Sequence, residues 1–177
     1  MLCAAAILVT AMAGLAPLFL TAAKATMDAR TQTMATVLAA QRVEQLRGLN
    51  WGFDQNAPAV RISDFTTDLS GRGATNGGRG LSQSPADALW VNTPGYVDYL
   101  DPFGQWVGSG SSPPPGTSWV RRWSIEPQSP SPDDLLLLQV LVIPIAVSRA
   151  AHQEARRDSI WLRDGARLVT VRARMAR

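Results

Sequence analysis

Residues 34–49 read Met34-Ala35-Thr36-Val37-Leu38-Ala39-Ala40-Gln41-Arg42-Val43-Glu44-Gln45-Leu46-Arg47-Gly48-Leu49. Good helix formers fill this stretch, and neither Pro nor Gly interrupts it from Met27 to Arg47. At 100° per residue, Met27, Met34, Ala35, Leu38, Ala39, Val43, Leu46 and Leu49 fall on one half of a cylinder, and Arg30, Thr33, Gln41, Glu44 and Arg47 on the other. Arg42 intrudes on the apolar half. Gly48 and Asn50 give a stop signal. The spacing predicts an amphipathic helix over 24–50 that needs a large apolar surface to cover it.

Towards the N-terminus the pattern changes without breaking. Leu2 to Ala23 carries no charged residue, approaching the ~20 apolar residues that cross a bilayer as a helix. Residues 1–23 are therefore read as the membrane-spanning or filament-core half of one continuous helix, about 70 Å long from Leu2 to Leu49 at 1.5 Å per residue. Pro17 predicts a kink inside it. Ala23-Lys24-Ala25 matches a signal-peptidase site, but the stretch has no basic n-region and the helical pattern runs on past Ala25. Ala6, Leu8, Ala13, Gly14, Pro17 and Leu18 are candidate helix-packing residues, since small side chains let helix backbones approach in an apolar medium.

Towards the C-terminus, 51–177 reads as a β domain. A Gly-rich loop lies near 70–84, and Ile62 to Phe65 is a short strand candidate. Tyr96 to Leu100 meets the turn Asp101-Pro102-Phe103-Gly104 and returns through Gln105-Trp106-Val107. Trp119, Arg121, Trp123 and Ile125 share one face of a strand, with Arg121 stacking or snorkelling. Leu135 to Val142 is apolar on both faces, as a strand covered on both sides would be. Val169, Val171, Ala173 and Met175 alternate with Thr170, Arg172 and Arg174, which predicts valines inside and arginines in water. The expected architecture is α+β: one long helix, its amphipathic half packed on an antiparallel sheet of about four strands. Met34, Leu38, Val43 and Leu46 would meet Trp119, Trp123, Val169 and Val171.

Composition excludes more chemistry than it offers. The chain has 177 residues, net charge +3, one His, one Cys and six Trp. With His152 as the lone histidine, a Ser-His-Asp triad or histidine metal site has little to build on. The glycines at 71–80 lack the Gly-Lys-Ser/Thr of a phosphate loop. Asp98 and Asp101 lie beside a turn, where capping is the simpler role than calcium binding. The basic segment 149–177 holds eight arginines against three carboxylates, read as the solvent face of a strand and turn rather than a nucleic-acid site. Trp51, Trp90 and Trp161 sit beside loops and are candidate interface residues. Neither catalytic site, metal nor cofactor is expected, and nucleic acid is not expected as a partner.

In its organisation the chain resembles the type IV pilin and type II secretion pseudopilin family, particularly its minor members. The resemblance rests on the apolar helix Leu2–Ala23 running on through Thr36 to Arg47, on Tyr96-Val97-Asp98-Tyr99-Leu100-Asp101-Pro102-Phe103-Gly104, and on Arg121-Arg122-Trp123-Ser124-Ile125 before the Leu-rich strand. It implies a pilin-like fold and a structural subunit of a pilus or secretion filament. It also implies other pilins or pseudopilins, a prepilin peptidase, an inner-membrane assembly platform and membrane lipid as partners. The subunit would sit in the bacterial inner membrane by a single pass, its C-terminal domain periplasmic. The family's Gly-aromatic cleavage site and following Glu are missing ahead of Leu2, so the expectation is a true start upstream, with cleavage and N-methylation there. The rival readings are an anchored periplasmic binding domain that never enters a filament and, behind it, an enzyme released after Ala25.

Overall fold

The computed structural model describes residues 2–54, 56–57, 60–63, 79–148 and 165–174, with side chains from residue 17 onward. Among the described residues a long helix, α1 (Leu2–Gly48), is followed by seven strands: β1 (Trp51–Phe53), β2 (Arg61–Ser63), β3 (Val97–Leu100), β4 (Trp106–Ser109), β5 (Trp119–Pro127), β6 (Leu135–Pro144) and β7 (Ala166–Ala173). The first two form a small antiparallel ribbon, and the other five a sheet of order β4-β3-β5-β6-β7. All its neighbouring strands are antiparallel. This corrects the expected architecture: two sheets with seven strands, the larger of five, replace a pilin-like single sheet of about four. The strand candidate Ile62 to Phe65 overlaps β2 at Ile62 and Ser63, with Asp64 and Phe65 outside the described residues; its partner β1 is not legible, because a three-residue strand carries almost no periodicity.

The helix crosses the sheet from one end to the other. At the first end, Leu100, Trp119 and Pro144 lie in register, and the β3–β4 turn projects beyond them. There Gly104 lies so close to Leu38 and Met34 that a Cβ on it would come within 2.7 Å of Leu38 Cδ2. At the second end, Pro127 pairs with Leu136 and Leu135 with Ala173, beside the C-terminus of α1. Between the two ends, Ala35, Leu38, Ala39, Val43 and Leu46 pack against Trp119, Trp123, Ile125, Leu138, Val140 and Val142.

The opposite face of the sheet is covered too. Leu89, Val97, Tyr99, Val120, Leu141 and Ile143 form a second cluster, with Trp90 and Ile145 against it. This is why β6 reads as apolar on both faces. Arg122 is buried on this side, donating to Asn92 Oδ1 at 2.7 and 2.9 Å and to Ser148 Oγ at 3.1 Å. Burial pushes Arg122 down to about 10 and Tyr99 up to about 12, because each loses water that would solvate its charged form.

A second correction concerns β7. Val169 and Val171 are more than half exposed, while Thr170 and Arg172 are part-buried and Arg174 is buried. The strand is turned over relative to the expectation. A valine exposed on one face of an edge strand sacrifices modest burial. Leaving the carbonyls at the end of α1 without donors would cost more.

The tight approach at Gly104 yields a test. Its φ is +79°, a conformation that penalises any Cβ, and the neighbouring Leu38 is buried. Gly104→Ala should cost about 2 kcal/mol of folding stability, read by chemical denaturation of the full chain. An unchanged midpoint would show that the turn does not fix the helix.

Candidate functional site

Arg42 is the residue that breaks the apolar stripe of α1, and it is fully buried. A guanidinium in such a place needs a carboxylate and hydrogen-bond acceptors. Asp98, also fully buried on the helix side of β3, accepts from Arg42 Nη2. Arg121 lies directly opposite Asp98 on β5. It grips the same carboxylate through Nε at 3.0 Å and Nη2 at 2.7 Å. Its remaining nitrogen, Nη1, donates to Leu38 O at 3.2 Å and Gln41 Oε1 at 3.3 Å. The Arg42 guanidinium lies 4.1 Å from the centroid of the Trp123 ring. Two cations therefore share one anion, with an indole face and a helix carbonyl meeting the surplus charge. Three elements, α1, β3 and β5, are pinned at one point.

A second set of arginines closes the far end. Arg172 donates to Leu46 O at 2.8 Å and also to Leu49 O, satisfying carbonyls that the last turn of a helix leaves unmade. Its positive charge complements the negative end of the helix dipole. Arg174 stacks 3.7 Å from the centroid of the Trp51 ring and donates to Gly52 O at 2.6 Å and Ile62 O at 2.8 Å. It thereby ties the β1–β2 ribbon to the sheet. Burial lowers the Arg174 pKa, and Asp134, 3.3 Å from its Nε, works against that shift.

With the helix held at residues 35–49, the described part of it before residue 31 stands clear of the sheet. Residues 17–30 are all exposed, and Leu18, Phe19 and Leu20 are 65 to 73% exposed. Met27 and Val37 are exposed as well. The threonines along this stalk are turned back on their own helix: Thr21, Thr26, Thr31, Thr33 and Thr36 each donate to the carbonyl four residues earlier, at 2.8 to 3.0 Å. Hydroxyls satisfied in this way can enter an apolar medium without a water partner.

No family model, curated protein or solved structure matches this chain.

The packing residues expected from sequence divide into three groups. Leu38, Val43, Leu46, Trp119 and Trp123 sit together in the helix–sheet core, with Met34 partly buried against it. Val169 and Val171 are outside that core. Pro17 and Leu18 are exposed on the stalk, whereas the side chains of Ala6, Leu8, Ala13 and Gly14 lie outside the described residues. Trp51 is half-buried under Arg174, and Trp90 is half-buried against the outer cluster. Trp161 and His152 lie outside the described residues, as does most of the Gly-rich loop. Among the described residues no helix is long and apolar enough to cross a membrane. The charge-free run 2–16, which carries most of the expected span, has its side chains outside that description. Among the described residues no group of three or more potential metal-binding side chains converges. Both Asp98 oxygens are committed to arginines, and Asp101 Oδ1 accepts from Phe103 N and Gln105 N at 2.8 Å each.

Sequence reasoning noted Arg42 and Arg121 as misfits in apolar patterns but did not join them through Asp98. The available signal was the coincidence of two arginines on inward positions with an aspartate on an inward strand. Asp98→Ala should cost about 3–5 kcal/mol, because it leaves two buried cations without their anion. Arg42→Met, which keeps the Arg121–Asp98 pair, should cost under about 2 kcal/mol. Denaturation of the detergent-solubilised chain compares the two, and equal losses would rule out Asp98 as the common anchor.

Proposed function

We propose that this chain is a structural subunit, of the minor pilin or pseudopilin type, that assembles through its N-terminal helix into an envelope filament. The observation that carries the reading is the stalk: large apolar side chains exposed in series on a helix whose other half is locked to a sheet. A single subunit in water would not keep Leu18, Phe19 and Leu20 uncovered. Lipid can cover them before assembly, and a bundle of like helices after it.

In this scheme the subunit waits in the bacterial inner membrane, with the sheet domain on the periplasmic side. A separate assembly platform extracts it. The exchange from lipid to helix bundle is between two apolar media, so it changes little apolar exposure, and close packing and geometry decide the outcome. The sheet domain contributes rigidity. Its lock on α1 fixes the direction in which the stalk leaves, so that copies present their stalks in one orientation. A prepilin peptidase, other pilins or pseudopilins, and membrane lipid are the partners this proposal requires. No reaction is assigned to the chain.

Single cysteines on the stalk test the proposal in cells. With Cys3 replaced by Ser, Leu20→Cys should form disulfide-linked dimers on oxidation of intact cells, as neighbouring stalks meet. Phe19→Asp in the same background should reduce that linkage about a hundredfold, the penalty of an acidic group at the centre of an apolar environment. Membrane association without any linkage would instead favour an anchored domain that never joins a filament.

A further inference from the structure

We draw no further inference here: the strongest candidate, the cavity of about 310 Å³ between the β1–β2 ribbon and the sheet, lined by Trp51, Leu81, Pro127, Pro132 and Leu136, carries nothing, because its rim cation Arg61 is already paired with Asp133 and Asp134 and nothing in the structure shows what covers its apolar lining.

Discussion

The carboxylate of Asp98, shared by Arg42 and Arg121 beneath the face of Trp123, is the constraint on which the remaining structure depends. Burying two guanidinium groups and one carboxylate costs several kcal/mol per ion before any attraction is counted. The arrangement is tolerable because both guanidinium groups share Asp98, Arg121 also donates to Leu38 O and Gln41 Oε1, and the Trp123 face lies against Arg42. Its value lies in specificity more than in net stability. A one-residue rotation of α1 would swing Arg42 by 100° and strand Asp98 against apolar side chains. An apolar helix stripe alone permits several registers. This charge cluster selects one.

Once α1 is fixed at 35–49, its direction beyond the sheet follows from helix geometry. A helix of 47 residues, with Pro17 inside it, has a contour of about 70 Å, while the five-stranded sheet covers only its last third. On the uncovered part Leu18, Phe19 and Leu20 stand exposed, and the threonines from 21 to 36 return their hydroxyls to the helix's own backbone. At the other end of the helix, Arg172 and Arg174 replace water on carbonyls of α1, β1 and β2. The globular part is therefore closed at both junctions with the helix. The proposed assembly through the stalk would leave the sheet domain as it is.

Some of this was legible in the sequence. The 3.6-residue period of 34–49 placed Leu38, Val43 and Leu46 on one face, and the alternation of Trp119, Trp123 and Ile125 placed them opposite. Those signals are local and repeat over several residues. The orientation of β7 was not legible. Val169 and Val171 alternate with Thr170 and Arg172 equally well in either sense, and apolar preference favours the wrong one. What decides is the need for donors at the end of α1, more than 120 residues away in sequence. Strand β1 was hidden for a related reason: Trp51 to Phe53 acquires its place from Arg174, not from its own pattern. The ion cluster showed only as two misplaced arginines, since nothing in a one-dimensional pattern says that they converge on the same aspartate.

The central claim is that α1 is divided into a sheet-locked half and a stalk that an apolar environment covers. Labelling of single cysteines in intact membranes, with Cys3 replaced, measures that division directly. Leu18→Cys and Leu20→Cys should resist a water-soluble maleimide while Gln41→Cys, at the solvent side of the locked half, reacts readily. After denaturation all three should label. Rapid labelling at residues 18 and 20 in the native membrane would mean that the stalk stands in water, and would contradict the account.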